Sequence, residues 1–186
     1  YYSSFKMIKK IPNILSILRI ILIPLVAWLI LFDYFLYALI ITLLIAISDF
    51  LDGFIARMFN AQSEIGSYLD SIADKAFIIS AYMLIGTQNL LPIFVIIIVI
   101  SRDIIIMGAF VLSFAMNQRL DINPIRTSKI NTFLQFTLIV LVLINNVGEF
   151  NPLQAITFLI DVTMYMVIAT TVVSLLFYIK QWLNYN

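Results

Sequence analysis

Ser48-Asp49-Phe50-Leu51-Asp52-Gly53-Phe54-Ile55-Ala56-Arg57 and, eight residues later, Gly66-Ser67-Tyr68-Leu69-Asp70-Ser71-Ile72-Ala73-Asp74 decide how this chain is read. Asp49 and Asp52 stand three apart, and Asp70 and Asp74 stand four apart. On a helix, either spacing puts both carboxylates on one face. The stretch between the pairs lets one helix end and the next begin, so the four acids can converge. The surroundings make that arrangement costly, because the flanking runs are almost wholly apolar.

Working outward, the 186 residues are 63% hydrophobic and 11% charged, with a mean hydropathy of +1.07. A soluble domain carries about 25% charge, and a chain this short has no core large enough to hide so much apolar surface. The expected fold is therefore an all-α integral membrane protein, one domain over residues 1–186. Histidine and cysteine are both absent. No disulfide framework, thiol nucleophile, imidazole base or zinc-thiolate site is available. Any chemistry falls to carboxylates, lysines, hydroxyls or bound metal ions.

Six apolar runs, each near the length a bilayer requires, are expected to form transmembrane helices over 13–32, 34–58, 65–86, 91–116, 128–144 and 153–178. Pro12 and Asn13 suit the opening of the first, and Pro24 is expected to kink it. Residues 7–12 read as a short basic interfacial segment, and residues 1–6, ahead of Met7, as a non-native extension. Turns are expected at 88–89 and 145–152, and a long polar loop at 117–127. Lys6, Lys9, Lys10, Arg57, Arg119, Arg126, Lys129 and Lys180 fall at the ends joined to the N-terminus. The opposite turns hold Asp33 and Glu149 and no lysine or arginine. This positive-inside pattern predicts both termini and the four aspartates on the cytoplasmic side, as in a bacterial inner or plasma membrane.

A single acid near a helix end is readily explained as a cap or as half of an ion pair with Arg57 or Lys75. Four are not. A charge at membrane depth costs about 3 kcal/mol on insertion scales, and clustered carboxylates repel one another unless cations neutralise them. Two divalent ions restore the balance. All-oxygen ligation favours Mg2+ or Mn2+, and two such ions suit phosphoryl chemistry. Gly53, Ala56, Gly66 and Ser67 leave room beside the acids for a ligand or for close helix approach. Arg57 is a permanently charged partner for phosphate. A cation transporter is the competing reading. Transport sites lie near the midplane between repeats, whereas these acids sit at the basic end of a chain without visible repeats.

At these residues the chain resembles the CDP-alcohol phosphotransferase superfamily. Its pattern D-x-x-D-G-x-x-A-R, eight residues, G-x-x-x-D-x-x-x-D is filled by Asp49, Asp52, Gly53, Ala56, Arg57, Gly66, Asp70 and Asp74. The resemblance implies a six-helix membrane fold, a homodimer, and a dinuclear metal site on Asp49, Asp52, Asp70 and Asp74. It further implies that Asp74 is the catalytic base and that Gly53, Ala56, Arg57, Gly66 and Ser67 line the cytidine diphosphate pocket. An alcohol would then attack lipid-linked phosphorus and expel CMP, with no nucleic-acid partner.

The opening Ile11-Pro12-Asn13-Ile14-Leu15-Ser16-Ile17-Leu18-Arg19-Ile20 resembles the branch that uses CDP-diacylglycerol, with phosphatidylglycerol or glycerol 3-phosphate as acceptor. Ile100-Ser101-Arg102-Asp103, and Ser128-Lys129-Ile130-Asn131-Thr132 with Gln135, resemble the CMP-forming cardiolipin synthases of that branch. The glycerophosphate enzymes have a second lysine where this chain has Asn131. A phosphomonoester dianion calls for more positive charge than a phosphodiester. Arg19, Arg102, Arg126 and Lys129 are the candidates for binding the acceptor or lipid phosphate. Their alternatives are an Arg102–Asp103 or interhelical ion pair, and interfacial anchoring.

Overall fold

The computed structural model describes residues 11–58, 64–115, 126–148 and 154–183, with side chains at 18, 20–48, 73–108, 127–148 and 154–180. Six α-helices, and no strand, make up these residues: α1 Ile11–Leu31, α2 Phe35–Met58, α3 Glu64–Thr87, α4 Ile93–Ala115, α5 Arg126–Asn145 and α6 Gln154–Leu183. Each lies over one of the six apolar runs of the sequence, with ends displaced by a few residues. The largest difference is at α6, which continues past Tyr178 through Lys180 to Leu183. Nothing in Lys180-Gln181-Trp182-Leu183 breaks a helix, and a basic residue in the last turn complements the carbonyl end of the dipole. At the front of α1, Ile11 and Pro12 are already helical, so the expected interfacial segment keeps only residues 7–10, which lie outside the described residues. Helix α1 runs through Pro24.

Two of the turns share one device. After α1, the Asp33 N–H donates to Ile30 C=O (3.2 Å) and the Tyr34 N–H to Leu29 C=O (2.8 Å), with Asp33 at φ 61°. After α3, the Asn89 N–H donates to Gly86 C=O and the Leu90 N–H to Ile85 C=O, both at 3.0 Å, with Asn89 at φ 55°. These are Schellman caps, which satisfy the last helical carbonyls through one left-handed residue. Asp and Asn enter that region more readily than other side chains bearing a Cβ. Pro92 then opens α4, its carbonyl accepting the Val95 N–H at 3.0 Å.

The chain forms two compact units, residues 1–84 and 85–186, with the division inside α3. In the first, α1 packs on α2. Val26, Leu29 and Ile30 of α1 and Ala38 and Ile45 of α2 are buried. In the second, α6 packs on both α5 and α4. Its core holds Val95, Ile96 and Val99 of α4, Leu138, Ile139, Val142 and Leu143 of α5, and Ile160, Met164 and Val167 of α6. Gly86 admits Ile96 against the backbone at the end of α3, where an added Cβ would meet Ile96 Cδ1 at 2.5 Å.

Two helices with described side chains are long and apolar enough to cross a membrane, over Thr127–Asn145 and Gln154–Lys180. Only 33% and 28% of their apolar windows are buried. A soluble core helix would hide most of that surface, and here it faces outward.

Candidate functional site: two acid-bearing helices and a buried polar layer

The aspartates occupy two successive helices of the first unit. Asp49, Asp52, Gly53, Ala56 and Arg57 lie in the second half of α2, and Gly66, Ser67, Asp70 and Asp74 in the first half of α3. Continuous helix at both places makes the three- and four-residue spacings face-sharing. The side chains of residues 49–72 lie outside the described set, so the convergence of the four carboxylates remains an expectation. Asp74 is half-buried. Among the described residues no cluster of three or more acids is assembled.

The second unit supplies geometry that the spacing does not. Arg102 of α4 is 1% exposed and Asp103 0%. Each nitrogen of the Arg102 guanidinium donates to a protein oxygen: Nη1 to Asp103 Oδ1 (2.6 Å), Nη2 to Ser128 Oγ of α5 (2.8 Å), and Nε to Ser174 Oγ of α6 (3.0 Å). Ser174 in turn donates to Thr171 C=O at 3.0 Å. One buried cation thus ties three helices, with its charge matched by the neighbouring acid. An unpaired charge at such a place would be far more costly.

One turn along α5, Asn131 is fully buried. Its Oδ1 accepts from Thr170 Oγ1 (2.8 Å) and Thr171 Oγ1 (2.9 Å) of α6. Its Nδ2 has no partner among the described residues. These contacts define an antiparallel register in which the level of 128 meets 174 and that of 131 meets 171. Carried on at helical rise, 135 faces 167, 138 faces 164 and 142 faces 160, and every one of these residues is buried. The unit therefore has a polar end, with Arg102, Asp103, Ser128, Asn131, Thr171 and Ser174, and an apolar end with Leu138, Val142, Ile160 and Met164.

Of the two acceptor candidates with described side chains, Arg102 is drawn into this layer and Lys129 is not. Lys129 is exposed on α5, while its neighbours Ser128 and Asn131 turn towards α4 and α6. The side chains of Arg19, in α1, and Arg126, the first residue of α5, lie outside the described set. Thr170, Thr171 and Ser174 were not singled out from the sequence. Their signal is weak, since small hydroxyl residues in an apolar helix usually bond their own preceding turn.

A family model described as CDP-alcohol phosphatidyltransferase matches residues 9–177. The chain is 30% identical over 181 residues to the CDP-diacylglycerol--glycerol-3-phosphate 3-phosphatidyltransferase of Aquifex aeolicus, covering 95% of this chain and 94% of that one. A protein of the same name from Blochmanniella floridana is 31% identical over 187 residues, covering 96% and 92%. The CMP-forming cardiolipin synthase of Rattus norvegicus is 41% identical over 108 residues, covering 58% of this chain and 36% of that protein.

Proposed function

We propose, from the premise that this chain belongs to the CDP-alcohol phosphatidyltransferase family and is such an enzyme, that it transfers the phosphatidyl group of CDP-diacylglycerol to the hydroxyl of phosphatidylglycerol, forming cardiolipin and CMP. The observation that carries the chemistry is the filled acid motif on two successive helices. The observation that favours this acceptor is the neutral polar layer. Arg102 already spends its charge on Asp103, and Asn131 stands buried between two threonines. With Arg102 paired and an asparagine at 131, that layer presents little surplus positive charge, which suits a phosphodiester acceptor better than a dianion.

The donor set of Asp49, Asp52, Asp70 and Asp74 fits two Mg2+ or Mn2+ ions, being all carboxylate and without nitrogen or sulfur. Bound there, such ions supply charge stabilisation at the diphosphate and lower the pKa of a nearby hydroxyl. In the reaction proposed, the acceptor oxygen forms a bond to the phosphatidyl phosphorus, and the bond from that phosphorus to the CMP oxygen breaks. Asp74 takes the hydroxyl proton. Arg57 binds diphosphate oxygens, and Gly53, Ala56, Gly66 and Ser67 leave space for the cytidine diphosphate. All six helices span the membrane in this reading, with the acids and both termini on the cytoplasmic face and two copies forming a homodimer.

A second reading has its own support: the relatives matched from end to end carry the glycerol 3-phosphate name. One assay separates the two. Purified protein with Mg2+ or Mn2+ and CDP-diacylglycerol is given phosphatidylglycerol or glycerol 3-phosphate. Cardiolipin from the first is the expected product, and phosphatidylglycerophosphate from the second would replace this proposal with the alternative.

A further inference from the structure

Helices α1 and α2 each expose a regular aliphatic stripe that ends in aromatic rings at the turn between them. The exposed residues Ile21, Leu25 and Trp28 of α1, and Phe32 just after it, recur at three- and four-residue intervals; on α2, Tyr37, Ile40, Leu44 and Ile47 do the same. Around the turn the rings form a continuous chain. Trp28 lies 5.1 Å from Phe32 and is stacked on Tyr34 at 5.9 Å, and Tyr34 meets Tyr37 edge-on at 6.4 Å. Trp28, Phe32, Tyr34 and Tyr37 are all at least half exposed. The exposed, left-handed Asp33 caps the group.

Soluble proteins mostly bury rings of this size, because each hides roughly 200 Å2 of surface. Here they stay outside, in a fixed order along the helix axis: aliphatic carbon, then rings bearing N–H and O–H groups, then a carboxylate. That order is the polarity profile of a bilayer leaflet from hydrocarbon through interface to water. We infer that the Trp28–Phe32–Tyr34–Tyr37 rim is a lipid-interface anchor that fixes the depth of the α1–α2 hairpin in the bilayer.

The anchor has a consequence at the other end of α2. From the turn to Asp49 is about fifteen residues, or about 22 Å at helical rise, and Asp52 lies about 27 Å away. The hydrocarbon layer is about 30 Å thick, and a tilt of about 20° shortens those distances only slightly. A rim held in one interface therefore sets Asp52 about 3–5 Å beneath the head groups of the opposite leaflet, with Asp49 about one helical turn deeper. The pair thus lies in the far half of the bilayer, towards the head groups and past the midplane. The inference holds whichever alcohol is the acceptor.

The chain has two tryptophans. Trp182→Phe leaves Trp28 as the single reporter, to be placed in phosphatidylcholine vesicles carrying lipids brominated at shallow or deep acyl positions. Shallow bromines should quench Trp28 at least about twofold more than bromines near the chain ends. Stronger quenching by the deep bromines overturns the inference, because the rim would then lie in hydrocarbon. Quenching by aqueous iodide without quenching by lipid overturns it too, as does quenching by neither, which would mean that protein covers the rings. If Trp182→Phe does not fold, the difference between the wild type and Trp28→Phe gives the same profile.

Discussion

The acid-bearing helices and the polar layer of α4–α6 solve the same problem in opposite ways. Both put ionised groups into apolar helices. On α2 and α3 five acids, four of them at helical spacings in the motif, stand against Arg57 and Lys75, an excess of negative charge. Among the described side chains of α4 the charge is one cation and one adjacent anion, the cation bonded to that anion and to two serines at 2.6–3.0 Å. An unbalanced cluster points to a ligand, whereas a balanced one points to architecture. The first should be intolerant for chemical reasons and the second for structural ones.

The comparison breaks most sharply at the acids. Asp70→Asn or Asp74→Asn should lower CMP release by at least about a thousandfold, since each removes a proposed metal ligand and Asp74 also the base. Thermal unfolding in detergent should change by less than about 1 kcal/mol, because the substitution is isosteric and keeps hydrogen-bonding capacity. Wild-type rates in both variants would overturn the metal-site mechanism.

Arg102 tests the opposite behaviour. Arg102→Met leaves Asp103 buried without its cation and should destabilise the fold by about 3–5 kcal/mol. Adding Asp103→Leu should recover much of that loss in unfolding experiments. Activity lost in Arg102→Met and not regained in a well-folded double variant would move Arg102 from architecture to substrate binding.

A smaller effect is expected at Asn131. Asn131→Leu removes the acceptor shared by Thr170 and Thr171. Thr170 keeps Met166 C=O at 2.8 Å as an alternative, so the cost should be about 1 kcal/mol. Buried as Asn131 is, its loss should leave the KM for both lipid substrates nearly unchanged in steady-state assays. The smallest effect belongs to Gly86→Ala. The added methyl meets the far end of Ile96, which can rotate away, and a shift of less than about 1 kcal/mol is expected by thermal unfolding.

Much of this was legible along the chain, for reasons that differ by residue. Helix limits follow from punctuation: Asp33 and Asn89 accept the left-handed cap, and Pro92 opens the next helix. Helix α6 runs past the expected end at 178 because a basic residue such as Lys180 is as much at home in a last helical turn as beyond it. The Arg102–Asp103 pair was already an option because the two residues are adjacent. Its serine partners were not readable, lying 26 and 72 residues away on other helices.

The sequence by itself determined the helical, membrane-suited character and the acid motif. Both are properties of spacing and composition within one or two neighbouring helices, where 3.6-residue periodicity fixes which groups share a face. Only the tertiary structure decided that α5 and α6 run antiparallel with a polar end and an apolar end, that Arg102 is sealed between them, and that the aromatic rim faces outward. Those depend on which helices meet and in what register. The same apolar periodicity permits several pairings, and the buried hydrogen bonds of Arg102 and Asn131 select among them because leaving those groups unpaired would be too costly.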